Sequence, residues 1–319
     1  MNNAVTSQWR KASTFSLVLS LALLPFASVA RADECPEADE AALAWLDKMS
    51  RSLNEVSYHG VVTLQRGEEL QVIQVSHSVD GESSSERLTT LTGQGAKVER
   101  TEHPLHSVHP GHRLLQIGTE IQSGNCGLRR HYRLHVSEGD RVAGRKAVRI
   151  LIEPRDMYRY GYVMDLDRET GLLLKTLTVG SGEKVVERFQ FASLSLGNQV
   201  ISATDVSVVH HAQHALPSIM AAEAPGWSPQ WVPGGFVFTD TPVAPSGRRT
   251  YTDGLAVFSV FIEELGREIR PGEGVVRNGG TISYTRGMAL AGKPVLVTVI
   301  GEVPINTARM VADSVNWVP

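Results

Sequence analysis

Between Arg129 and Arg159 nine basic residues stand against four acidic ones, and Tyr158, Tyr160 and Tyr162 follow at every second position. Arginine forks suit bidentate capture of phosphate or carboxylate, and tyrosines add stacking and apolar cover. The chemistry on offer is capture of an anion, a phosphate or a carboxylate, with Arg145, Arg149, Arg155, Arg159, Tyr160 and Tyr162 as candidates. The plainer reading is the solvated face of an antiparallel sheet. His103, His106, His109 and His112 recur every third residue, but Pro104, Pro110 and Gly111 exclude a regular helix there. No cysteine or carboxylate cluster completes a ligand set, so no metal is expected. A solvated loop is the bland reading of these histidines and a pH-responsive contact the functional one. Asp165 and Asp167 read as turn formers rather than an acid/base pair. The chain has no G-x-S-x-G elbow, no H-E-x-x-H and no Gly-rich phosphate loop before a helix, so neither an enzyme nor a cofactor is expected.

The elements that must position these residues are mostly strands. In the block Arg141 to Lys175, apolar residues alternate at Val148, Ile150 and Ile152, then Tyr158, Tyr160, Tyr162, Met164 and Leu166, with a turn from Asp167 to Gly171. One face is core and the other cationic. Ahead of it, residues 36–53 suit a helix with Pro36 in its first turn, acidic residues at its N-terminus and a stripe of Ala42, Trp45, Leu46, Met49 and Leu53. Strand patterns follow at 58–65, 70–79, 86–92, 96–102, 113–118, 130–137, 145–153, 158–167, 172–179 and 184–191, several separated by Gly-containing turns. So many strands joined by short turns give an antiparallel meander curling round the helix, a half-open barrel with an apolar concavity of the kind that takes an acyl chain.

Residues 196–226 read as a linker. A second unit, 227–319, has strands at 255–262, 281–285 and 295–300 and a helix at 306–315, a small antiparallel sheet with one helix. One helix covers one face, so the other should meet the first domain or a partner. The fold class is α+β, mainly antiparallel β.

Arg10 and Lys11, an apolar run from Phe15 to Val29 and Ala30-Arg31-Ala32 form a secretory signal, 1–32, cleaved after Ala32. Cleavage takes the basic residues from 31 to 28 against 34 acidic ones, and the net charge from −3 to −6. That balance and the export signal argue against nucleic acid as a partner. In a bacterium the destination is the periplasm. Cys35 and Cys126 can bridge in such a compartment, closing a loop worth roughly 4–5 kcal/mol, with two separate thiols as the alternative.

The chain also resembles the MucB/RseB family of periplasmic regulators of the envelope-stress sigma factor. The resemblance is carried by Tyr58-His-Gly-Val-Val, the Arg141 to Lys175 block, Trp227-Ser-Pro-Gln-Trp-Val-Pro-Gly-Gly-Phe236, Tyr251-Thr-Asp-Gly-Leu-Ala-Val-Phe-Ser-Val-Phe-Ile262 and Val297-Thr-Val-Ile-Gly-Glu-Val-Pro304. It implies an N-terminal domain, 33–195, like the LolA/LolB lipoprotein carriers, an unclosed β-barrel around a helix, and a C-terminal domain, 227–319, that binds an anti-sigma factor. The implied partners are the periplasmic region of a single-span anti-sigma factor of the RseA/MucA kind, which is shielded from proteolysis, and lipopolysaccharide or lipid, which releases it. Trp231, Phe236, Tyr251 and Phe258 are candidate partner anchors, because aromatics dominate interface energy, with domain core as their conservative reading. A periplasmic lipid or lipoprotein carrier is the alternative function, and a homo-oligomer stays open.

Overall fold

The computed structural model describes residues 39–80, 83–93, 97–104, 127–197, 208–211, 226–239, 247–266 and 272–317. The export signal, Cys35, Cys126, the 113–118 strand, most of the linker, and His106, His109 and His112 lie outside the described residues. His103 falls within a strand.

Helix α1 (Glu40–Glu55) starts where Asp39 caps it, its carboxylate accepting from the amides of Ala41 at 3.0 Å and Ala42 at 3.4 Å. The other oxygen of Asp39 accepts from the amide of Val136 at 3.0 Å, tying the helix start to the sheet. The 3.6-residue spacing puts Ala42, Leu43, Leu46 and Met49 on one stripe, buried against Tyr132, Leu134, Ile150, Ile152 and Met164.

The larger sheet comprises β1 (Tyr58–Arg66), β2 (Glu69–Asp80), β3 (Ser83–Thr90), β4 (Lys97–Pro104), β5 (Tyr132–Glu138), β6 (Ala147–Pro154), β7 (Gly161–Asp167), β8 (Leu173–Val179), β9 (Val185–Leu196) and β10 (Val208–His211). Their order is β10-β4-β3-β2-β1-β9-β8-β7-β6-β5, antiparallel except for the parallel β10–β4 pair. Among the described residues the order is linear, with α1 on one face, called here the inner face. The expected linker thus contributes a strand of its own, β10.

The smaller unit has β11 (Trp227–Pro229), β12 (Val237–Phe238), β13 (Arg248–Thr252), β14 (Val257–Glu264), β15 (Gly272–Asn278), β16 (Thr281–Leu290), β17 (Lys293–Gly301), α2 (Ile305–Asp313) and β18 (Val315–Trp317). Six strands form an antiparallel sheet in the order β12-β13-β14-β17-β16-β15, and β11 pairs with β18. Alternation on β16 and β17 turns Ile282, Tyr284, Val295, Val297 and Val299 towards Ala308, Val311 and Ala312 of α2. At Gly301 the backbone of Phe258 lies so close that no side chain fits. Among the described residues no helix is long and apolar enough to cross a membrane.

Candidate functional site

The arginine block is largely neutralised by its own sheet. Register places Arg149 opposite Asp165 and Asp165 opposite Lys175, so a charge ladder crosses β6, β7 and β8. Arg149 donates to Asp165 through Nε at 2.8 Å and Nη2 at 3.0 Å, and to Asp140 at 2.8 Å. Those hydrogen bonds raise its pKa, led by the one to Asp165, and hold the Asp140 carboxyl below its usual range. Asp165 is therefore a buried mid-strand partner and not a turn former. Asp167 does form the turn, accepting from the amide and hydroxyl of Thr170 at 2.9 and 2.7 Å. Burial alone would raise the Asp167 carboxyl; bonds from Arg145 at 2.7 and 2.9 Å and from Thr170 outweigh it and lower the pKa. Arg145 also reaches Glu169, and exposed Arg155 donates to the carbonyls of Arg129 and Tyr132.

Arg159 corrects the expectation of an exposed cationic strip. It lies in the β6–β7 connection, because β7 begins only at Gly161, and its side chain is 0% exposed. Nη1 donates to Asp253 Oδ2 at 2.8 Å, Nη2 to the carbonyl of Gly234 at 2.6 Å and Nε to Asp156 at 3.2 Å. The guanidinium lies over the rings of Phe236 and Tyr132, 5.1 and 5.5 Å from their centroids.

Asp253, whose side chain is also 0% exposed, belongs to the smaller unit. Its Oδ2 accepts a second bond from Tyr132 Oη at 2.9 Å, and its Oδ1 caps the β13–β14 turn by accepting from Leu255 and Ala256 amides at 3.0 and 2.8 Å. Gly254 supplies the φ of +96° that the turn needs. Burial first, and the Asp253 charge second, push the Tyr132 hydroxyl well above its ordinary pKa, so it stays a donor. Burial and Arg159 lower the pKa of nearby His131. Every lone pair facing the pair is thus used, the condition under which a buried ion pair is tolerated.

This latch joins the two units. Beside it, Leu255 packs into the inner-face core with Leu128, Tyr132, Tyr160 and Tyr162, so the smaller unit occupies part of the face expected to hold an acyl chain. Thr307 donates to the carbonyl of Tyr158 at 2.8 Å, and Tyr158 meets Trp231 edge-on at 5.1 Å. A groove of about 630 Å³ lies elsewhere, and its lining includes Leu151, Val163, Leu177, Val179 and exposed Met157.

Of the proposed anchors, Phe236, Tyr251 and Phe258 are buried in the core of the smaller unit, Tyr251 stacked on Phe258 at 5.3 Å and Phe236 tilted against it at 5.1 Å. Tyr251 on β13 and Phe258 on β14 are directly paired, and with Phe236 just ahead of β12 they share one core with Ala308, Val311 and Ala312 of α2. Trp231 is half-buried at its edge. Tyr160 and Tyr162 are buried, with hydroxyls that find no hydrogen-bond partner among the described residues. Asp253, Tyr132 and Gly234 escaped the sequence reading; Asp253-Gly254 reads locally as a turn, and nothing nearby announces a partner 94 residues away. Among the described residues no group of three or more His, Cys, Asp or Glu is placed to hold a metal.

Fold and latch define a two-module, mainly antiparallel β protein whose smaller sheet is docked on the helix-bearing face of the larger one by a buried charge pair. Residues 41–214 match the MucB/RseB N-terminal domain and 221–316 the MucB/RseB C-terminal domain. The chain belongs to the MucB/RseB family. It is 32% identical to the sigma factor AlgU regulatory protein MucB of Pseudomonas aeruginosa, over 85% of this chain and 90% of that one. Identity to the sigma-E factor regulatory protein RseB of Haemophilus influenzae is 25%, over 94% and 96%. Among solved structures, the MucA/MucB complex of Pseudomonas aeruginosa matches with a TM-score of 0.68 and 30% identity, over 88% of this chain and 99% of that one. MucB alone matches with a TM-score of 0.58 and 29% identity, over 88% and 98%.

Proposed function

We propose that this chain is a periplasmic regulator, exported by cleavage after Ala32, that binds the periplasmic region of a MucA-like, membrane-spanning anti-sigma factor. It shields that region from regulated proteolysis and so represses an envelope-stress response. The observation that carries this reading is likeness along both modules to MucB solved with MucA. The working division is a sensing domain, 33–195, a linker, 196–226, and a partner-binding domain, 227–319. Lipopolysaccharide or another lipid releases the partner, and the open groove of about 630 Å³ is of a size that takes an acyl chain. Of the four candidate arginines, Arg145 and Arg149 already have carboxylates, Arg159 is enclosed and exposed Arg155 does not line the groove, so the arginine that a headgroup there would meet is exposed Arg133. Of the four candidate anchors, half-buried Trp231 is the one left with surface to offer a partner.

The latch is the contact that any movement of the two modules against each other would break or make. The test is a pull-down with the mature chain as bait against detergent-solubilised membranes of the source organism. Recovery of a single-span protein encoded beside a sigma factor supports the reading; recovery of lipoproteins alone supports the carrier alternative instead.

A further inference from the structure

A cavity of about 110 Å³ lies between the two sheets. Its floor is the inner face of the larger sheet, Tyr162 and Met164 of β7 beside Thr178 and Thr176 of β8, and Leu255, Gly280 and Glu302 close it from the smaller unit. Tyr162 is 5% exposed, and among the described residues neither its hydroxyl nor that of Thr176 has a hydrogen-bond partner. Two enclosed hydroxyls left unpaired on one cavity point to an occupant. Glu187 borders the space, but Arg66 at 3.0 Å and the amide of Gly280 at 3.4 Å already hold it. Glu302, at the rim, has no ion pair among the described residues. Desolvation, and then the charge of Glu187, raise its carboxyl pKa, with Arg66 offsetting only part.

We propose that this cavity binds a primary alkylammonium group shared between the two modules. An ammonium has three donors and no acceptor, and the Glu302 carboxylate, Tyr162 Oη and Thr176 Oγ1 are acceptors free to receive them. Met164 and Leu255 supply apolar wall for the carbon stem. The two carboxylates disfavour an anion, and a divalent cation wants more oxygen ligands than one uncommitted carboxylate and two hydroxyls provide. The group has two sources, a free polyamine or a lysine side chain of a bound protein. Because the acceptors come from both modules, occupancy holds them together. The site stands independently of the anti-sigma reading.

The test titrates the full chain with n-propylammonium chloride by calorimetry and by amide NMR. Saturable binding and a raised melting temperature are expected, with Gly280 among the shifted amides. Glu302→Gln and Tyr162→Phe each weaken binding by about tenfold or more, the usual weight of a charge-assisted hydrogen bond. Glu302→Gln, at the rim, keeps the test decisive if Tyr162→Phe fails to fold. Affinity falls as pH drops and Glu302 protonates; the groups facing it are Glu187, Arg66, Tyr160 and Tyr162. Butane-1,4-diamine tests the polyamine source, and a single-lysine peptide against its acetyl-lysine counterpart tests the protein source. No saturable binding of propylammonium, equal binding of uncharged propanol, or unchanged affinity in the Glu302→Gln chain overturns the proposal.

Discussion

Replacing Asp253 by Asn tests the latch most directly. Asn keeps an oxygen able to cap the amides of Leu255 and Ala256, so the β13–β14 turn survives. What it removes is the charge that Arg159 faces at 2.8 Å, with both side chains 0% exposed, and it turns an acceptor for Arg159 and Tyr132 into a donor. A buried charge stripped of its partner costs about 3–5 kcal/mol, whereas removing both charges together costs much less. Arg159→Met leaves the Asp253 carboxylate with Tyr132 and two amides, so its cost is expected in the lower part of that range. The assay is urea unfolding of the full chain followed by tryptophan fluorescence, since Trp227 and Trp231 report the smaller unit and Trp45 the larger. The double variant Arg159→Met/Asp253→Asn is expected to be more stable than the sum of the singles predicts by at least about 2 kcal/mol. The single Asn variant should also separate one transition into two as the modules uncouple. Strict additivity, or a loss under about 0.5 kcal/mol for Asp253→Asn, would refute a latch.

Leu46→Ala, at a fully buried position on the α1 stripe, is expected to lose about 2–5 kcal/mol in the same denaturant assay. Gly301→Ala drives a methyl group into the backbone of Phe258 and should cost about 1–3 kcal/mol, seen as a lowered melting temperature. Asp167 has a depressed folded pKa, so its stabilisation is present above the unfolded value of about 3.9 and lost as pH falls through the lower folded one. Arg145→Gln removes a cause of that depression, and its acid-unfolding midpoint should move to higher pH. Glu302 has the opposite sign: its raised pKa means the folded chain holds that proton more tightly, so the carboxylate opposes folding above the folded pKa. Glu302→Gln is therefore expected to raise the melting temperature at pH 7 and leave it unchanged at pH 4.

Much of the larger sheet was legible because its strands alternate cleanly: Val148, Ile150 and Ile152 place β6 within two residues of its observed bounds. The α1 stripe was equally plain, although its start is set by Asp39 rather than by Pro36. Short or glycine-bearing strands were not legible. β10 has four residues and pairs with β4 across more than a hundred positions, and β15 carries Gly272 and Gly274 on a wholly exposed edge. Of the candidate site, the sequence marked Arg159 and Phe236 but not what holds them. The Arg141 to Lys175 block, the Trp227 to Phe236 segment and the Tyr251 to Ile262 segment each carry the family resemblance, and they meet at Arg159, Gly234 and Asp253.

The sequence by itself determined the family, the antiparallel β character, the helix stripe and the excess of arginine, because residue type, spacing and short-range periodicity record all of these. Tertiary structure alone decided which arginines are free. Arg149 meets Asp165 across a strand pair and Arg159 meets Asp253 across two modules, and neither approach is visible in local order. Charge in a sequence is only a potential for binding; burial and the nearest carboxylate decide whether it is already spent.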